Sequence, residues 1–244
     1  LATLKDLKQR FGVEVTFLAP NLDGLITPTQ LVEALRPETK AVAIMWVNNE
    51  TGVIQPIEAL GSITQEHGAL FFTDATQAVG KMGVHLDDLP VDALALSAHK
   101  FYGPKGIGAL YLNRRAARSI DSPILGGSQE HGLRAGTQAT ALVAGLSATV
   151  NLLHQDPDEP ERLLRMRDLV IRELTRRFEG FLLHGAGAPR APHCVNFSIE
   201  GVSGTTIAHK LANRIALSTG SACNATRPEP SHVLSAMGLP RERA

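Results

Sequence analysis

The chain has 244 residues with 24 Lys plus Arg against 24 Asp plus Glu, so its net charge is close to zero. That balance leaves no basic footprint for nucleic acid, and no apolar run approaches the roughly 20 residues of a bilayer span. Two cysteines, Cys194 and Cys223, stand far apart without partner spacing, which argues against a disulfide scaffold and for a reducing cytoplasm.

The opening Leu1-Ala2-Thr3-Leu4-Lys5-Asp6-Leu7-Lys8 is amphipathic and lacks the layout of a signal peptide. Apolar runs at Ala41–Val47, Ala69–Thr73, Val91–Ser97 and Ile107–Leu112 predict buried strands. They alternate with helical patterns, one of which runs from Ile57 to His67 and stops at Gly68. This alternation predicts an α/β fold with a mostly parallel sheet covered by helices. Gly126–Thr137 is too rich in glycine for a helix or strand interior, and an apolar helix, Ala139 to Leu153, follows it. Gln155–Pro160 reads as a linker. Beyond it come a charged helix (Glu161–Phe178), a strand (Cys194–Ile199), a helix (Thr205–Arg214) and a loop holding Cys223. Two units are expected, a larger one over residues 1–155 and a smaller α+β unit over 156–244, with no internal repeat.

Three of the first four strands run directly into polar groups. Val47 leads into Asn48-Asn49-Glu50, Thr73 into Asp74-Ala75-Thr76-Gln77, and Ser97 into Ala98-His99-Lys100. Ligands of open parallel sheets gather at the carboxyl ends of strands, so these clusters should converge on one crevice. Lys100 enters a turn full of glycine and proline, and a cation at the end of a buried strand needs a partner or chemical neutralisation. A Schiff base to pyridoxal phosphate meets that need, with Ser97 and His99 placed to donate to the phosphate; a solvent-facing lysine on a loop is the simpler alternative.

Asp74 follows Ala69–Phe72 at the edge of the apolar core, where it either pairs with a protonated pyridine nitrogen or caps a helix. Cys223 lies among the small residues of Ser218–Thr226, whereas Cys194 lies in an apolar run. It is therefore a travelling nucleophile or an inert half-buried thiol. Competing motifs fail. Gly103-Pro104-Lys105-Gly106-Ile107-Gly108 precedes a strand rather than following one, and Gly80-Lys81-Met82 lacks the rest of a P-loop. The nine histidines and two cysteines show no zinc-ligand spacing, so no metal is expected and His193-Cys194 reads as ordinary strand sequence.

Together, Val47–Gly52, Thr73–Gln77, Ser97–Gly108, Gly126–Thr137 and Ser218–Gly238 resemble the cysteine desulfurases, pyridoxal-phosphate enzymes of the fold-type I, class-V aminotransferase group. Ser221 through Glu229-Pro230-Ser231-His232 is similar to the mobile-loop branch of that family. The resemblance implies a mostly parallel sheet with helices on both faces, plus a smaller α+β C-terminal domain. It implies that Lys100 binds the cofactor and shuttles the Cα proton, that Asp74 pairs with the pyridinium, and that Gln77 bonds the ring's phenolic oxygen. Ser97 and His99 would hold the phosphate, Thr137 would reach the phosphate in the neighbouring subunit of a homodimer, and Asn49 would orient the substrate carboxylate. Cys223 would attack the sulfur of L-cysteine, giving L-alanine and an enzyme persulfide for a sulfur-acceptor protein, either an iron–sulfur scaffold or a thiolation enzyme.

The family's Gly/Thr-rich phosphate turn, ring-stacking histidine and carboxylate-binding arginine are not among these 244 residues. The chain therefore reads as a piece of a longer protein with both domains incomplete. A selenocysteine lyase or another β-eliminating enzyme is one alternative, although elimination needs no travelling thiol. An aminotransferase would share Lys100 and Asp74 but have no use for Cys223, and an inactive partner-binding scaffold would need none of these residues.

Overall fold

A computed structural model describes residues 2–219 and 230–243 of the chain. Its main sheet runs in the order β1 (Ala41–Met45), β2 (Leu70–Asp74), β3 (Ala93–Ser97) and β4 (Gly108–Leu112). The first three strands are parallel and β4 is antiparallel to β3. The connections explain the directions. Between β1 and β2 the chain has room for a crossover helix, α3 (Ile57–Glu66), whereas residues 98–107 are too few for one, so β4 must return alongside β3.

Helix α3 buries Ile57, Leu60, Gly61 and Thr64, a spacing that places all four on one face. Gly68, at φ +91°, takes the left-handed conformation that ends the helix and points the chain into β2. Before β1 come α1 (Ala2–Phe11) and α2 (Pro28–Ala34), and α2 starts with a full capping box: Thr27 accepts the Gln30 N–H while the Gln30 side chain accepts the Thr27 N–H. Leu31, Trp46, Val47, Leu60, Phe71 and Leu94 form the centre of the core. Burial of a side chain such as Leu60 or Phe71, both fully enclosed, contributes about 2–3 kcal/mol each.

At the amino end of β3, away from the carboxyl ends of the strands, Asp92 is completely buried. Its carboxylate accepts the Phe71 N–H at 2.8 Å and the Asn113 side-chain N–H at 2.8 Å, with an Arg115 nitrogen 3.8 Å away. One side chain thus joins β2 and β3 to the end of β4, where the short helix α4 (Arg114–Ala117) begins.

The glycine-rich segment after Ile124 contains only a short turn over Gln129–Gly132, in which Glu130 and His131 hold φ values of 51° and 58°. Helices α5 (Thr140–Gln155) and α6 (Glu159–Arg177) are separated by three residues, so the expected linker is a tight corner. A second sheet pairs β5 (Phe181–Leu183) antiparallel with β6 (Phe197–Ile199), followed by α7 (Gly204–Leu211) and α8 (His232–Ala236). The strand expected from Cys194 begins only at Phe197. Residues 189–196 instead pack on the turn after β1: Ile54 N–H bonds Pro189 O at 2.9 Å, Ala191 N–H bonds Gly52 O at 2.8 Å, and Cys194 and Asn196 both donate to Glu50 O. Among the described residues no helix is long and apolar enough to cross a membrane.

Candidate active site

The strand register puts the predicted clusters on one edge. Met45 stands opposite Asp74, Asp74 opposite Ala95, and the Trp46 and Ala75 N–H groups extend the ladder past the strand ends. Asp74 is central. It is half-buried, and its Oδ1 accepts the Thr76 N–H at 2.9 Å, which tightens a single turn rather than capping a helix. No other side-chain hydrogen bond ties this carboxylate among the described residues, so its second oxygen is uncommitted. Gln77 stands in the same turn, whose Ala75 and Ala78 are fully buried beneath it.

Ser97 ends β3, with its Oγ 2.9 Å from His99 Nδ1. His99 and Lys100 are exposed in the turn that follows, and Tyr102 reverses the chain at φ 71°. Lys100 makes no ion pair among the described residues. Lys81 is buried, with its Nζ 4.1 Å from the centre of the Tyr102 ring.

Asn48 organises the turn after β1: its Oδ1 accepts the N–H groups of Glu50 and Thr51, both at 2.9 Å, and the Thr51 hydroxyl. This leaves Asn49 exposed on the rim. Gly52, at φ +75°, is pressed so closely by Cys194 that a Cβ would lie 2.7 Å from the cysteine's own. Arg190 clamps the same turn by donating to Thr51 O, His184 O and Gly185 O. Burial pushes the Cys194 thiol up, against the pull of Arg190, which suits an inert structural cysteine. The Glu50 carboxylate is buried and accepts the hydroxyl of Ser231, the residue that caps α8 by accepting the Val233 and Leu234 N–H groups.

Asn49, Asp74, Gln77, Ser97, His99 and Lys100 are therefore gathered at the carboxyl ends of β1–β3. Thr137 is exposed on the glycine-rich segment and makes no hydrogen bond to them. Cys223 lies outside the described residues.

One residue was missed by sequence reasoning. His193, expected to be ordinary strand, precedes β6 and sets its Nε2 3.2 Å from Gln77 Oε1. Its Nδ1 is sealed from solvent with no partner among the described residues. Burial, and then the charges of Lys81 and Lys100, push its pKa down to about 4.

The donor set fits pyridoxal phosphate. Lys100 offers an unpaired primary amine, Asp74 an uncommitted carboxylate oxygen, Gln77 an uncommitted amide N–H₂, and Ser97 with His99 a hydroxyl–imidazole pair.

Residues 1–239 match the aminotransferase class-V family, and the chain belongs to that family. Its members, cysteine desulfurases included, use pyridoxal 5′-phosphate. Among its relatives, the cysteine desulfurase IscS of Dictyoglomus turgidum is 44% identical over 238 residues, 97% of this chain and 60% of the relative. The mitochondrial cysteine desulfurase of Eremothecium gossypii is 42% identical over 93% of this chain and 46% of its own length. Among solved structures, SspA in complex with cysteine superimposes with a TM-score of 0.81 at 36% identity, covering 99% of this chain and 67% of that one. A NifS-like protein gives 0.87 at 30% identity, covering 99% and 63%. The chain thus spans about half to three fifths of the curated relatives it matches.

Proposed function

We propose that this chain is the greater part of a pyridoxal-phosphate-dependent cysteine desulfurase, which converts L-cysteine to L-alanine and passes the sulfur to an acceptor protein. The observation that carries the reading is the convergence of Asp74, Gln77, Ser97, His99 and Lys100 on one sheet edge, in a family whose relatives bear that name. Lys100 would hold the cofactor and move the Cα proton, its exposed amine being free to reach both. Asp74 would keep the ring nitrogen protonated through its uncommitted oxygen, Gln77 would donate to the phenolic oxygen, and Ser97 with His99 would bind the phosphate.

When bound, the cofactor withdraws electrons from the substrate's Cα and so eases loss of its proton. Asn49, on a rim fixed by Asn48, would orient the substrate carboxylate. Cys223, assigned from the sequence alone, would attack the substrate sulfur as a thiolate. The S–S bond forms as the C–S bond breaks, its electron pair goes to carbon, and protonation there yields alanine. The persulfide then goes to an iron–sulfur scaffold or a thiolation enzyme. The same reading places the protein in the cytoplasm as a homodimer in which Thr137 reaches the neighbouring subunit's phosphate, with a cofactor-binding unit over 1–155 and the cysteine-bearing unit over 156–244.

The decisive experiment loads the protein with pyridoxal phosphate, reduces it with borohydride and maps the modified peptide. The label should fall on Lys100, and Lys100→Ala should lose the visible absorption while remaining folded. Cys223→Ala should keep the absorption but form no persulfide from cysteine. A label elsewhere, or sulfide release from Cys223→Ala at the unsubstituted rate, would refute the assignment.

A further inference from the structure

The contact between His193 and Gln77 has a defined polarity. Gln77 Oε1 only accepts, so the hydrogen in the 3.2 Å contact must sit on His193 Nε2. The reverse amide orientation would put the imidazole hydrogen on Nδ1, which is sealed and has no partner among the described residues. A buried N–H left unpaired is the costlier outcome, since an unpaired acceptor is tolerated more readily than an unpaired donor. A charged imidazole would have the same orphan donor and would face two nearby ammonium groups, Lys81 and Lys100. The ring is therefore neutral, with its hydrogen on Nε2.

Fixing the amide oxygen fixes the amide nitrogen. With Oε1 held by His193, the Gln77 N–H₂ group is turned away from that contact, and it donates to no described residue. We infer that His193 is a positioning residue that locks the Gln77 side chain so that its N–H₂ group is presented to the phenolic oxygen of the cofactor. The inference rests on the desulfurase reading for the identity of that acceptor, but the contact itself does not. It makes a residue of the β5–β6 region a determinant of the cofactor's charge state, although His193 need not touch the cofactor.

Two measurements test this. In the histidine-labelled chain without cofactor, nitrogen NMR should show His193 neutral at pH 6 with its hydrogen on Nε2. A hydrogen on Nδ1, or a charged ring at pH 6, would overturn the inference. In the cofactor-loaded protein, His193→Ala should weaken pyridoxal phosphate binding about fivefold, the worth of one lost hydrogen bond. It should also raise the pH midpoint of the visible absorption by about 0.5–1 unit, because a phenolic oxygen no longer held by the amide retains its shared proton more tightly. His193→Gln, which keeps an N–H near the position of Nε2, should recover most of both effects. A merely structural role would leave that midpoint unmoved, and an unmoved midpoint would sink the proposal. If the unsubstituted protein takes up no cofactor, the desulfurase reading fails and the role given to His193 fails with it, while the tautomer result still decides the contact.

Discussion

Lys81 is an unusual resident of this site, because it is 7% exposed and its visible partner is the face of Tyr102. A ring face holds a cation with about 0.5–2 kcal/mol, enough to keep a buried amine in place but not to cancel its field. That field reaches His193. Lys81→Met should therefore raise the His193 pKa from about 4, yet leave it below the ordinary 6.5, because burial is the larger cause. An NMR titration checks this, and an unchanged or lower value would show that the lysine is not felt there.

Acid stability follows from the same histidine. The unfolded chain takes up a proton near pH 6.5 that folded His193 refuses until about pH 4, and His184 is depressed by burial in the same sense. Stability should thus be complete above pH 6.5 and decline as the pH falls towards 4. Urea unfolding at pH 7 and pH 5 measures the decline, and His193→Gln should make it shallower. That Asp74, Gln77, Ser97, His99 and Lys100 gather at one sheet edge was legible, because an apolar run that ends in a polar cluster is a local signal. His193 was not legible, since it meets Gln77 across 116 residues and nothing around it in sequence marks the encounter.

At the scale of elements, all four strands of the main sheet could be read from their apolar runs to within two residues at each end. The direction of β4 went unread, although the segment that joins it to β3 is too short for a parallel crossover. Helix α2 went unread, although its Thr27-Pro28-Thr29-Gln30 start carries a capping signature. The shortening of β6 could not have been read, because Cys194 and Asn196 turn to Glu50, far away in sequence. Asp92 shows how much one side chain contributes to a sheet. Asp92→Ala would leave the buried Phe71 N–H and the half-buried Asn113 amide without an acceptor, at a cost of about 2–4 kcal/mol. A loss below about 1 kcal/mol in equilibrium unfolding would show that other groups replace it. Ser231→Ala should cost about 1–3 kcal/mol, since the α8 cap and the partner of buried Glu50 disappear together.

At the scale of the whole molecule, the large apolar side chains of Leu125, Leu152, Met166 and Leu169 stand exposed. A homodimer, as proposed, would cover part of such apolar surface; light scattering should return twice the chain mass, and a monomer mass would count against it. The clasp of Glu50 by Ser231 also sets an order in time. The two residues are 181 positions apart, so at 5–20 residues per second a ribosome needs roughly 10–40 s between them. For most of that interval the turn bearing Asn49 has neither Arg190, which follows Thr51 by 139 residues, nor Ser231 to close it. The rim of the site is therefore completed well after the sheet that supports it has been made.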